Sequence, residues 1–159
     1  MKKADLLRAA LVAAHPDFAK NPDHLTMWVE KGRISARLGP QRGFSWEYDL
    51  NVLVSGFVDD PSWLMFWICD WLRTQQPDLL ASGAEGFPFE VDILNEKTVD
   101  LQITLSLRDI VSAIPGPGGR WDLATLAEPA PMIPDAQALG PGLTSIWVDG
   151  QQVAPLPAD

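Results

Sequence analysis

Three stretches of the chain decide its fold: NPDHLTMWVEKGRISARLG at residues 21–39, YDLNVLVSGFVDDPSWLMFWICDWLRTQQPDLL at residues 48–80, and FPFEVDILNEKTVDLQITLSL at residues 87–107. The first and third stretches alternate apolar and polar side chains, which is the period-2 pattern of half-buried strands. The second begins with a strand of the same kind and continues into an apolar segment of helical length. The sequence therefore predicts strands interrupted by a helix.

The strand pattern predicts an antiparallel sheet. In residues 25–38 two short runs flank Lys31-Gly32, which we interpret as the turn of a β-hairpin. Residues 44–54 alternate most strictly, with one apolar and one polar face. Residues 87–93 and 99–107 form a second predicted hairpin. Since hairpins of this kind pair with their neighbours, we expect these strands to share one sheet.

Two helices are predicted to accompany the sheet. In residues 3–14 the leucines and alanines recur at helical spacing and give one apolar stripe. The second helix is predicted to begin at Asp60-Pro61, where the Asp60 carboxylate caps the helix and the proline occupies the first helical position. It is expected to run to about Gln76, because Pro77 cannot continue it.

The second predicted helix carries more apolar side chains than one stripe can hold. One of its faces is expected to pack on the sheet. The remaining apolar side chains are expected to meet the first helix or a neighbouring subunit. The candidates for such an interface are Trp63, Phe66 and Trp67.

Prolines and glycines dominate the chain beyond Ile114. We therefore predict a core domain at residues 1–114, a semi-rigid connector at residues 115–142 and a C-terminal arm at residues 143–159. Asp149-Gly150 lies between two short apolar runs and predicts a β-hairpin in the arm. Because an isolated hairpin is only marginally stable in water, the arm should dock on its own domain or on a neighbour. Its candidate contact residues are Ile146, Trp147, Val148 and Val153.

Together these elements predict an α+β fold in the order α-β-β-β-α-β-β. The helices are expected to pack on one face of an antiparallel sheet, and a Pro-rich C-terminal arm ending in a short β-hairpin follows. The chain has 159 residues, enough to bury a core of this kind. It is 47% hydrophobic and 21% charged, so global disorder is not expected.

The sequence carries no recognisable catalytic or metal-binding pattern. Its two histidines, His15 and His24, lie in no known motif with a nucleophile, and together with Cys69 they lack the spacing of a zinc site. We therefore expect no catalytic residue, no metal and no cofactor. A single cysteine also excludes an intrachain disulfide. The longest apolar stretch, residues 63–69, is too short to span a bilayer, so no membrane partner is expected.

Acidic side chains dominate the charge of the chain, which is -9 at pH 7. A chain of this charge repels phosphates, so sequence-specific DNA binding is not expected. On the polar face of the predicted strands the acidic residues would form either an acidic surface toward a channel or a basic partner, or an ordinary solvated face. These residues are Glu47, Asp49, Glu90, Asp92 and Asp100.

The three stretches, in this order, resemble the phage tail completion protein R family of contractile-tailed temperate phages. The residues that carry the resemblance are LNVLV at 50–54, WLRTQQPD at 71–78 and FPF at 87–89. The resemblance extends over about residues 6–107, and a weaker similarity reaches IWVDGQ at 146–151.

The resemblance implies a structural protein and no catalysis. Proteins of this family look like tail terminators, which form a ring, typically sixfold, on the head-proximal end of the tail. Such a ring stops the polymerisation of tube and sheath and offers a surface to the neck and head. The implied partners are further copies of the chain, tube and sheath proteins, and neck or head completion proteins, with DNA passing through the ring without specific binding. The implied location is the virion tail, after assembly in the host cytoplasm.

Two other functions stay open on the sequence alone. One is a neck connector of the same particle, and the other is a monomeric acidic module that binds or regulates a basic partner. The oligomeric state discriminates the ring from the monomeric module.

Overall fold

The computed structural model describes residues 1–95, 97–129 and 145–155, and it describes residues 153–155 by their backbone alone. Three α-helices, seven strands and three short 3₁₀ turns occur in these ranges. The helices are α1 (Lys2–Ala14), α2 (Pro16–Lys20) and α3 (Pro61–Gln75), and the 3₁₀ turns are Pro22–His24, Pro77–Leu80 and Pro117–Gly119. The strands are β1 (Leu25–Ala36), β2 (Phe44–Phe57), β3 (Phe89–Ile93), β4 (Val99–Pro115), β5 (Trp121–Thr125), β6 (Ser145–Val148) and β7 (Gln151–Pro155).

The main sheet is antiparallel and has the strand order β1-β2-β4-β3. β3 and β5 pair with the same edge of β4, β3 with its N-terminal part and β5 with its C-terminal part. Val111 of β4 shows this arrangement, because it pairs with Phe44 of β2 on one side and with Thr125 of β5 on the other. β6 and β7 form a separate two-stranded sheet. The predicted α+β class with an antiparallel sheet is confirmed.

The two long helices cover one face of this sheet. In β2 the even-numbered residues from 48 to 54 are buried, and in β4 the odd-numbered residues from 101 to 107 are buried. Because side chains alternate between the faces of a strand, these residues all point to the same side. The helical residues of the same core cluster include Leu7 and Leu11 of α1 and Leu64, Ile68 and Leu72 of α3.

The predicted hairpin at Lys31-Gly32 is wrong, because β1 is one continuous strand that pairs with β2 along its whole length. The register shifts between Val29 and Lys31, so one extra residue bulges out of the ladder. A Cβ atom on Gly32 would lie 3.2 Å from the Glu47 carbonyl oxygen, so the close approach of the two strands, and not a turn, favours glycine here. The chain reverses after Ala36 instead.

The predicted element order also needs correction. One strand fewer precedes α3, and one additional strand, β5, follows β4. β4 continues to Pro115, so the sheet extends past the predicted boundary at residue 114 and into the predicted connector. The rest of that connector, from residue 130 onward, lies outside the described residues.

The hairpin predicted around Asp149-Gly150 is present as β6 and β7. Asp149 has φ 49° and Gly150 has φ 79°, the pair of positive angles that a tight type I′ turn requires. Ile146 is only 8% exposed and belongs to the core cluster, and β6 contacts α3. The hairpin therefore packs on its own chain. The side chain of Val153 lies outside the described residues.

Candidate assembly surfaces

The register of the sheet places all five predicted acidic residues on the face away from the helices. Glu47 and Asp49 flank the buried Tyr48 in β2, and Asp100 precedes the buried Leu101 in β4. In β3, Glu90 pairs with Gln102 and Asp92 pairs with Asp100, so both carboxylates share that face. The sequence prediction that these residues lie on one polar face is consistent with this geometry, and a lumen-facing role stays a prediction.

Cations share the half of this face that β1 and β2 form. Arg33 lies opposite Glu47, and its guanidinium makes an ion pair with that carboxylate. Arg33 hydrogen-bonds Glu47 and lowers the pKa of its carboxyl group. Lys31 lies opposite Asp49, whose Oδ1 accepts a hydrogen bond from Ser106 Oγ at 2.7 Å. This half of the face is mixed in charge.

The β3 half of the same face is acidic. Glu90 and Asp92 are exposed, and Asp92 lies directly opposite Asp100. Like charges in that position repel each other. Asp100 Oδ1 accepts a hydrogen bond from the Gly56 N–H at 2.7 Å, which leaves Asp92 as the more solvated member of the pair. The polar face is therefore mixed in charge at β1 and β2 and acidic at β3.

The predicted interface residues of α3 separate into core and surface. Trp63 is completely buried, and its ring packs on His15 at 4.9 Å and on Phe57 at 6.0 Å between centroids. Trp63 is therefore a core residue and does not contribute to an interface. Phe66 is 41% exposed, and Trp67 is half-buried. The Asp60 cap is confirmed, since its Oδ1 accepts from the Ser62 N–H at 2.8 Å.

The predicted interface residues of the hairpin separate in the same way. Ile146 is the buried anchor, whereas Trp147 is 60% exposed and Val148 is half-buried. Trp147 Nε1 donates to Ser145 Oγ at 2.9 Å, so the indole is held against its own strand. The hairpin thus presents one large aromatic side chain to the outside.

A second exposed apolar surface, on β3, was not predicted from the sequence. Phe89, Val91 and Ile93 of β3 lie on the helix-covered side of the sheet, yet they are 60%, 42% and 74% exposed. Their alternation is typical of a buried strand face. The helical layer does not reach this edge of the sheet, which no local pattern indicates.

A buried polar network ties the N terminus to the end of the described core. The ammonium of Lys3 donates to Gln76 Oε1 and to Glu128 Oε1, each at 2.6 Å. The Lys3 N–H and the Tyr48 hydroxyl donate to the two oxygens of Asp109 at 3.3 and 3.0 Å. Burial, followed by the negative charge of Asp109, raises the pKa of Tyr48 above its usual range.

Across the described ranges, histidine, cysteine and carboxylate side chains form no group of three that could hold a metal ion. None of the helices in these ranges has the length and apolarity that a membrane span requires.

Comparison with known proteins identifies the family. The chain matches the family model of the P2 phage tail completion protein R (GpR) over residues 1–129. It is 32% identical to the tail completion protein R of Escherichia phage P2 in an alignment that covers 97% of each chain. No solved structure matches the chain. Both the extent of the family match and the identity to this relative show that the chain belongs to the P2 phage tail completion protein R family of virion tail proteins.

Proposed function

We propose that the chain is a tail terminator that assembles as a ring, with six copies the expected number, on the head-proximal end of a contractile tail. The ring ends polymerisation of the tube and sheath and offers a surface to neck and head completion proteins. Family membership supports tail completion as the function. The location that follows is the head end of the virion tail, reached after assembly in the host cytoplasm.

The observation that carries this proposal is the exposure of large aromatic side chains on the helical side of the molecule. Phe66 on α3 is 41% exposed, and Trp147 on the neighbouring hairpin is 60% exposed. Aromatic residues on a surface are enriched at protein–protein contacts, where they supply much of the binding free energy. A ring subunit that also contacts tube, sheath and neck proteins needs several such contacts, whereas a monomeric module needs one.

The hairpin has a defined part in this proposal. Ile146 anchors it in the core of its own chain, and Trp147 on the same strand points to the outside. The anchor orders the hairpin before assembly and lowers the entropic cost of docking. The hairpin therefore presents Trp147 to a neighbouring subunit or to a neck protein.

The charge of the chain fits DNA passage through such a ring. The net charge of -9 opposes retention of phosphates. The mixed face near β1 carries Lys31 and Arg33, so a lumen formed by this face would be weakly charged there and acidic near β3. We propose that DNA slides past without specific binding.

The experiment that tests the function is deletion of the gene from the element that encodes it, followed by induction and negative-stain electron microscopy. We expect tails that fail to join heads, and recovery when the wild-type gene is supplied in trans. The Trp147→Ala variant should recover joining poorly, whereas the matched control Leu123→Ala, an exposed apolar residue of β5, should recover it fully. Normal head-bearing particles from the deletion would contradict the proposed function and favour a binding module.

A further inference from the structure

We propose that neighbouring copies in the ring join by pairing of β1 of one copy with β3 of the next, which rests on the ring proposed above. Among the described residues, β1 and β3 are the two end strands of the path β1-β2-β4-β3, and each pairs with a strand along one edge. An end strand presents unpaired N–H and C=O groups that form a template for another strand. One chain therefore carries both halves of a head-to-tail contact, and contacts of that type close into rings.

The charges on the two end strands are complementary. On the face away from the helices β1 carries Lys31 and Arg33, whereas β3 carries Glu90 and Asp92. Through the ladders of one chain, Phe89 of β3 is level with Met27 of β1. If a second copy continues the sheet with the same face outward and a stagger of about four residues, Lys31 lies across the new ladder from Glu90 and diagonal to Asp92. Within one chain Asp92 lies opposite Asp100, so a cation from the next copy also relieves that repulsion.

The other face of the two end strands is complementary in a different way. β3 exposes Phe89, Val91 and Ile93 beyond the reach of the helical layer. On the same side β1 offers half-buried Met27 and Val29. Pairing of the strands would bring these two apolar rows together and remove the exposed row of β3 from water. Acidic and cationic rows thus meet on one face, and apolar rows meet on the other.

The strand directions are compatible with this contact. Every neighbouring pair in β1-β2-β4-β3 is antiparallel, so β1 and β3 run in opposite directions. As in a closed barrel, the stagger requires strands that are tilted relative to the ring axis, and rotation about that axis keeps neighbouring strands in the same relative directions from copy to copy. The new β3–β1 ladder is then antiparallel, like the ladders within the subunit. A second copy of this chain is therefore the partner that the two edges fit.

Charge reversal tests the pairing. The variant Lys31→Glu/Arg33→Glu reverses the β1 edge, and Glu90→Lys/Asp92→Lys reverses the β3 edge. Supplied to the deletion described above, each variant alone should lower the number of head-bearing particles about ten-fold or more, because like charges then face each other across the interface. The variant that combines all four substitutions should restore the number of head-bearing particles. The matched control Lys2→Glu/Lys20→Glu reverses two exposed cations on helices α1 and α2 and should complement like the wild type.

These outcomes distinguish a failure of the proposed β1–β3 interface from a failure of the proposed function. Normal numbers of head-bearing particles with each single-edge variant would contradict the β1–β3 contact. Low numbers with both single-edge variants and no recovery with the combined variant would contradict it as well. Thermal unfolding of the purified variants shows whether each is folded before it is scored. If the deletion itself has no effect on tails, the proposed function fails, whatever the variants do.

A second measurement uses the wild-type chain and does not depend on the folding of a variant. Purified tails are treated with a zero-length carbodiimide, which joins an amine directly to a carboxylate, and linked peptides are identified by mass spectrometry. We expect Lys31 to link to Glu90 or Asp92. Three strand spacings, about 14 Å, separate β1 and β3 within one chain, so this link forms only between copies. Lys31 lies opposite Asp49 in its own chain, and that link is the internal control. Tails with the control link and no link to β3 contradict the inference.

Discussion

At the scale of single residues, Tyr48 connects the sheet to the buried network. It is the sole tyrosine of the chain, it is buried, and its hydroxyl donates to Asp109. Burial and the Asp109 charge both favour the neutral phenol, so the pKa of Tyr48 is raised. A single tyrosine makes phenolate absorbance a direct probe of this site.

We predict that the native chain shows no phenolate absorbance as the pH passes about 10, the pKa of an unperturbed tyrosine. Above that pH the unfolded chain loses the phenol proton while the folded chain keeps it, so the free energy of unfolding falls as pH rises. Spectrophotometric titration, followed in parallel by circular dichroism, measures both changes. Phenolate that appears near pH 10 while the native dichroism persists would contradict the buried position of Tyr48.

The ion pair between Lys3 and Glu128 gives a second prediction at this scale. Lys3 is almost fully buried and donates to Glu128 and Gln76. Glu128→Ala removes the countercharge and should lower the free energy of unfolding by about 2 kcal/mol or more. Arg120→Ala breaks the exposed pair with Asp122 and should cost less than about 1 kcal/mol. Urea unfolding of the two variants compares them directly, and equal costs would show that Lys3 finds another partner.

At the scale of elements, the N terminus of α3 depends on its cap. Asp60 accepts a hydrogen bond from the Ser62 N–H, and Pro61 occupies the first turn. Asp60→Ala should lower the free energy of unfolding by about 1 kcal/mol, measured by urea or thermal unfolding. Asp60→Ser keeps an acceptor at the cap and should retain most of the stability. An unchanged midpoint in the alanine variant would mean that the cap contributes nothing to α3.

The C-terminal hairpin gives a matched pair of variants. Ile146→Ala empties a buried position and should lower the free energy of unfolding by about 2 kcal/mol. Trp147→Ala changes an exposed side chain and should alter stability by less than about 0.5 kcal/mol while it impairs head joining. Thermal unfolding and particle counts measure the two effects separately. A stability loss in both variants would show that Trp147 also supports the fold.

Several elements were predictable because their signals are local. The Asp60 cap, the end of α3 before Pro77 and the Asp149-Gly150 turn each depend on a few neighbouring residues. The interpretation of Gly32 failed because a turn and a bulge in a long strand both need a glycine, and only the pairing with β2 decides between them. β5 was missed because prolines and glycines surround its short alternating run of Trp121, Leu123 and Thr125.

At the scale of the whole molecule, alternation predicted which residues share a face but not which faces are covered. The five acidic residues lie on one polar face, as the period-2 pattern indicates. Trp63 and Ile146 were expected at an interface and are core residues, because the positions of α1 and the hairpin decide their burial. Phe89, Val91 and Ile93 are exposed because the helical layer ends before β3. Such coverage is a tertiary property that no sequence window contains.

The two end strands, the exposed aromatic side chains and the opposite charges carried by β1 and β3 give one account of a subunit built for a ring at the end of a tail. In that account the ring stops growth of the tube. The most direct test is the distribution of tail lengths in negative-stain images of lysates from the deletion and from its complemented control. The account predicts overlong or widely variable tails in the deletion and a single narrow length after complementation. Tails of unchanged length in the deletion would contradict it.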